Sequence, residues 1–130
     1  LVGTHNFTAS SGHTFKIALF TSSASLGAST TAYSTSNEIT NTSGSAYSAG
    51  GATLTSVTPV LDSSTAVCDF ADVSFTSATF TANGALIYNS SQSDKAVAVI
   101  AFGGDKTVTS GTFTIQFPTA DASNAIIRIA

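Results

Sequence analysis

Two apolar runs separated by a polar break constrain this chain more than any other feature. Ala85–Tyr88 (ALIY) and Ala96–Phe102 (AVAVIAF) flank Asn89–Lys95 (NSSQSDK), which is wholly polar. Each run is short enough for a strand, rich in β-branched or aromatic residues and bounded by turn formers. Successive side chains on a strand point to opposite faces, so consecutive apolar residues call for cover on both sides. The pair is therefore expected to form a central hairpin, with amphipathic strands added around it.

The flanking sequence supplies those strands. Thr14–Phe20 places Phe15, Ile17 and Leu19 on one face and Lys16, Ala18 and Phe20 on the other. Gly51–Thr58 reads as a strand stopped by Pro59, and Val60–Ser64 as a turn. Ala66–Phe70 and Val73–Phe80 follow, and a change of phase at Ser77 in the second predicts a bulge or a change of sheet. Asn83–Gly84 predicts a two-residue hairpin turn into the first apolar run. Gly103–Gly104–Asp105 is expected to close the second run, and Ser110–Gly111 to turn the chain again. Thr112–Phe117 alternates strictly, with Phe113, Ile115 and Phe117 inward, and Ala125–Ala130 reads as a last strand at an edge. Leu1–Phe7 is too short to type.

No helix-period run exceeds a turn or two, although Ser36–Asn37–Glu38 could begin one helical turn. Short strands punctuated by turn formers, with no crossover helices, predict an all-β fold. The expectation is a single domain over residues 1–130, an antiparallel β-sandwich (Ig-like or jelly-roll-like) of about seven to nine strands.

Residues 21–51 interrupt this pattern as a long Ser/Thr-rich surface excursion with little apolar matter. Connections of that length are uncommon in compact domains unless they carry function. Leu26, Tyr33, Ile39 and Tyr47 are its scattered anchors and its candidate partner-contact residues; a passive loop is the plainer reading.

Only 8% of the chain is charged, against about 25% in ordinary domains, and Ser and Thr make up roughly a third of it. A surface of hydroxyls is poorly defended against association. It fits either a protein covered by a partner or an extracellular β-protein with a neutral exterior. Four basic residues and a net charge of −3 leave no stripe to neutralise phosphates, so no nucleic-acid partner is expected. No apolar run approaches the length of a bilayer span, so no membrane partner is expected either. The chain begins at Leu1 without a methionine and shows no signal peptide.

Candidate chemistry is sparse. Cys68 is the only cysteine, which excludes an intrachain disulfide and reads as a small buried hydrophobe. His5 and His13 lie far in sequence from any acidic residue, the first being Glu38, and a zinc or His-assisted nucleophilic site is not expected. Asp62, Asp69 and Asp72 form the one local carboxylate cluster and are the weak metal candidates. Their spacing lacks the dense Asp/Asn and Gly of a calcium loop, so they read better as solvated turn residues. No catalytic residue and no cofactor is expected. Sequons occur at Asn6, Asn41 and Asn89, as a Ser/Thr-rich chain produces by chance.

Taken together, several motifs carry a resemblance. HNFTASSGHTFKIALFTSSASLGASTTAYSTSNEIT, YSAGGATLTSVTP and ATFTANGALIYNSSQSDKAVAVIAFGGDKTVTSGTFTIQFP, closed by AIIRIA, cover nearly the whole chain. The pattern resembles a family of small virion structural proteins of tailed bacteriophages, common in phages of aquatic bacteria and in cyanophages. Members begin upstream of the position of Leu1, which implies a missing start. The resemblance implies a role on the particle, at the capsid surface or tail, and supplies no catalytic residues. The leading expectation is a capsid cement or decoration protein. Its partners would be the major capsid protein (or a tail protein) and copies of itself, as a homo-oligomer on the particle. The alternatives are a tail, baseplate or fibre component and, from another class, a carbohydrate-binding module for host attachment. The absence of Trp counts against the last.

Overall fold

The computed structural model describes residues 4–40 and 46–130; the start of the Leu1–Phe7 segment and the Asn41 sequon lie outside the described residues. The fold is all-β. Its strands are β1 (Phe15–Phe20), β2 (Ala52–Thr53), β3 (Ser56–Asp62), β4 (Thr65–Phe70), β5 (Val73–Asn89), β6 (Lys95–Ile115) and β7 (Ile127–Ile129). They make two antiparallel sheets, one ordered β2-β1-β5-β6 and the other β3-β4-β7. The sheets pack as a sandwich over Phe15, Ile17 and Leu19 of β1, Phe70 of β4 and Phe75, Phe80 and Ile87 of β5. The predicted two-faced alternation of β1 holds: Ala18 and Phe20 join Leu86 and Tyr88 in a second cluster on the opposite face.

The hairpin forms as expected, but it is longer and less symmetric than the apolar runs suggest. The Asn83–Gly84 turn predicted from sequence lies inside β5, and Gly103–Gly104–Asp105 lies inside β6. The two face each other across a register shift in which Gly84 pairs with Ala101 and Ala82 with Lys106. Gly84 serves close approach rather than a turn: a Cβ there would sit 2.9 Å from the Ile100 carbonyl oxygen. Asn83 Nδ2 donates to Asp105 Oδ1 at 2.8 Å and ties the irregular segment down. The bulge predicted at Ser77 is present, with φ of 51° and a register shift between Phe75 and Ala78. Ser110, at φ 47°, bends β6 without ending it. Pro59 likewise does not stop its strand; it sits in edge strand β3 within the register shift between Val57 and Val60. Edge position and bulge together remove the need for its missing N–H.

The two runs also differ in position. Ala85–Tyr88 is central, between β1 and β6, and buried on both faces. Ala96–Phe102 belongs to the edge strand, contrary to the expectation of two-sided cover: Ala101 is exposed and Val99 is 37% exposed.

Candidate functional site

The described part of the long excursion, residues 21–40 and 46–51, straps the four-stranded sheet, with residues 24–33 across its outer face. Glu38 bridges Phe20, the Ile39 N–H donates to the Leu19 carbonyl at 3.0 Å, and Ala32 bridges Lys95. Ala24, Leu26 and Tyr33 pack on the outer cluster of Ala18, Phe20, Leu86 and Tyr88. The strap is thus what gives Ala85–Tyr88 its second cover. At Ser36–Asn37 the chain reverses through a turn with Asn37 at φ 61°, and no helical turn forms.

Glu38, the single glutamate, gathers all three tyrosines around it. Its Oε2 accepts from Tyr33 Oη at 2.6 Å, and its Oε1 accepts from Tyr47 Oη at 2.7 Å and from the Gly50 N–H at 2.8 Å. Tyr47 Oη also accepts from the Leu19 N–H at 2.8 Å, and Tyr88 Oη donates to the Gly50 carbonyl at 2.7 Å. Tyr33 and Tyr88 stack with ring centroids 4.5 Å apart. Burial is the main force holding these phenols in their neutral form, with the Glu38 charge adding to it. It raises Tyr33 and Tyr47 far above the ordinary phenol range and pushes Tyr88 up to about 12, where the Asp94 charge contributes as well. Every tyrosine hydroxyl is engaged in holding the strap, so the network acts as a clasp.

The four candidate contact residues divide into two pairs. Ile39 and Tyr47, each 6% exposed, are part of this chain's own core and present almost no surface to a partner. Leu26 and Tyr33 are half-buried on the sheet, with one face of Tyr33 taken by Tyr88. Their polar surroundings in the sequence conceal this, because the surface they bury belongs to distant strands.

The three aspartates do not converge. Asp62 Oδ2 accepts from the Ala122 N–H at 2.7 Å, and Asp72 Oδ1 from the Phe117 N–H at 2.8 Å. Asp69 is 2% exposed, which corrects its reading as a solvated turn residue; Oδ1 accepts from the Phe70 N–H and Oδ2 is buried without a partner among the described residues. Among the described residues no group of three His, Cys, Asp or Glu could hold a metal ion. Cys68 is half-buried, and its thiol is raised by burial and by neighbouring Asp69.

A second polar cluster was hidden by sequence distance. Asn89, 0% exposed at the end of β5, has its Nδ2 within 2.9 Å of His5 Nδ1 and 3.0 Å of His13 Nδ1. Its Oδ1 accepts from the Ser91 N–H, which turns the amide nitrogen toward the two rings. Both Nδ1 atoms therefore accept, and His13 Nδ1 also takes the Asn6 N–H at 3.3 Å. Burial, then His13 and Lys95, lower the His5 pKa. The burial of Asn89 also closes its sequon.

What remains open is apolar surface. Leu61 is 72% exposed, Ile129 55%, Val60 49% and Val57 38%. Leu61, Ala66 and Ile129 lie in one register line across β3, β4 and β7, so they share a face. Strand alternation alone misses this row, because its residues lie at the ends of strands, past the part of the sheet that carries the core residue Phe70.

Comparison with known proteins finds no matching protein family, no matching curated protein and no matching solved structure.

Proposed function

We propose that this chain is a virion structural protein of a tailed bacteriophage, a capsid cement or decoration protein that binds the outside of the major capsid shell and stabilises the head. The phage setting rests on the sequence resemblance. The observation that carries the binding role is the exposed Leu61–Ala66–Ile129 row on a surface with few charges to oppose association. The clasped strap supports the same reading: the tyrosines that could act as sugar platforms are used internally.

Quantitative mass spectrometry of purified parent particles tests the proposal. A copy number close to that of the major capsid protein is expected, with loss of head stability when the gene is deleted. A handful of copies per virion, or immunogold label confined to the tail, overturns the decoration role in favour of a tail component.

A further inference from the structure

Residues 4–13 belong to neither sheet. Every bond between main-chain groups that they make among the described residues is internal. The Gly12 N–H donates to the Thr8 carbonyl, the His13 N–H to the Asn6 carbonyl and the Ser11 N–H to the Ala9 carbonyl. The segment thus closes on itself as a loop. A groove of about 330 Å³ lies between it and residues 53–56, so that side is not packed against the sandwich. The first main-chain bond to the sandwich comes at Thr14, whose carbonyl accepts from the Ser90 N–H at 3.0 Å.

Ahead of that anchor, side chains alone hold the loop down. Phe7 stacks flat on Phe15 with ring centroids 4.6 Å apart, and it also meets Phe70. His5 and His13 take the amide hydrogens of Asn89. Phe15 and Asn89 are fully buried and Phe70 nearly so, and the loop caps this end of the inter-sheet core. A segment with so few ties opens at lower cost than the sheets beside it. One of the ties is built to fail on protonation. The Ser91 N–H fixes the Asn89 carbonyl oxygen, which leaves only N–H groups facing the imidazoles. A proton on His5 Nδ1 sets N–H against N–H. Turning the amide over forfeits the Ser91 bond and presents the amide nitrogen to that backbone N–H.

We propose that residues 4–13 are an acid-released cap: a proton taken up by His5 breaks its bond to Asn89, and the loop swings off Phe15 and Phe70 about Thr14. The surroundings give the new cation no partner. The groups whose charge bears on His5 are His13 in the loop, Lys95 at the start of β6 and the amino terminus, with no carboxylate among them. Burial, then these groups, lower the His5 pKa, so the opened loop binds the proton more readily than the closed one. The cap is therefore closed at neutral pH, and its opening grows as pH falls through the ordinary histidine value of about 6.5. This goes beyond the decoration role and does not rest on it.

Amide hydrogen exchange, with rates corrected for their intrinsic pH dependence, tests this one pH unit above and one below the ordinary histidine value. At the lower pH the Gly12 and His13 amides are expected to lose protection by up to about tenfold, the limit for one histidine that takes no proton while the cap is closed. Amides of β1 should keep theirs. His5→Gln combined with His13→Gln puts non-titrating acceptors in place of both imidazoles and should remove the loss. Asn89→Asp keeps an oxygen for the Ser91 N–H and turns an acceptor toward the imidazoles, so its loop should gain protection on acidification. Loop protection that ignores pH, a loss shared equally by β1, or the same loss in the double variant overturns the proposal. So does an Asn89→Asp chain that folds and behaves like the unmodified one; where that variant does not fold, the double variant decides. None of these measurements needs the particle, so failure here leaves the capsid role standing, and failure of that role leaves the cap standing.

Discussion

Ala85–Tyr88 and Ala96–Phe102 look alike as sequence and fare differently in the fold. The first is sealed on both sides, by the inter-sheet core beneath and by the strap above. The second leans on the core through Val97, Ala98, Ile100 and Phe102, while Val99 and Ala101 face outward. An uninterrupted apolar run thus specifies that both faces of a strand need cover. It does not specify that the cover comes from the same chain. The backbone bonds of the strap to β6 reach only as far as Ala96, and Val99 and Ala101 beyond it keep an exposed side.

The sharpest way to break this contrast is to truncate equivalent cross-strand neighbours, since Leu86 and Val99 pair directly. Leu86→Ala removes a fully buried side chain and is expected to cost about 2–5 kcal/mol in denaturant unfolding. Val99→Ala on the monomer should cost less than about 1 kcal/mol, because that side chain is already partly hydrated. Equal losses would show that the edge is covered in the isolated chain and remove the distinction.

The next effect in size probes the strap, which is what separates the two runs. Glu38→Ala leaves the Gly50 N–H and two phenols without their shared acceptor. A loss of about 1.5–3 kcal/mol is expected for charge-assisted bonds of this kind. Hydrogen exchange should locate it: the Tyr33 and Ala96 amides, which tie the strap to the hairpin, should lose protection before those of β1. Uniform loss of protection would mean that the strap and the sheet unfold as one unit, and that Ala85–Tyr88 is never open like its neighbour.

The contrast also marks how far the sequence was legible. Alternation in Phe15–Phe20 and in Thr112–Phe117 reports faces correctly because one face of each meets the core, although β6 ends at Ile115, before Phe117. Turn chemistry at Asn83–Gly84 and Gly103–Gly104 predicts tight turns by its usual local meaning. Here Gly84 accommodates the close approach of the Ile100 carbonyl, a requirement set by the partner strand, and Gly103 and Gly104 take the positive φ of the irregular segment opposite it. The clasp was invisible for the same reason. Tyr33, Glu38, Tyr47 and Tyr88 are spread over three segments, and only the packed sheet brings them to one carboxylate. Leu26, Tyr33, Ile39 and Tyr47 stand out in sequence as the apolar points of the excursion, but periodicity does not say whether an anchor faces inward or toward a partner.

The smallest expected effect concerns the far end of the same hairpin. Asn89, which closes the buried run, is held under His5 and His13, whereas its cross-strand partner Lys95 is exposed. The His5 imidazole accepts a hydrogen bond at Nδ1, so a proton added there turns an acceptor into a donor facing the Asn89 amide. Because the His5 pKa is lowered on folding, the unfolded chain binds the proton more readily than the native one. The resulting stability is fully present above the ordinary histidine value of about 6.5 and falls as pH drops through it toward the depressed native value. A modest loss of stability on acidification is therefore expected, smaller than the effect of Glu38→Ala. His5→Gln, which retains an acceptor without titrating, should flatten that slope while leaving stability near neutral pH almost unchanged. An unaltered slope in the variant would show that the N-terminal segment is not what seals the buried end of the hairpin.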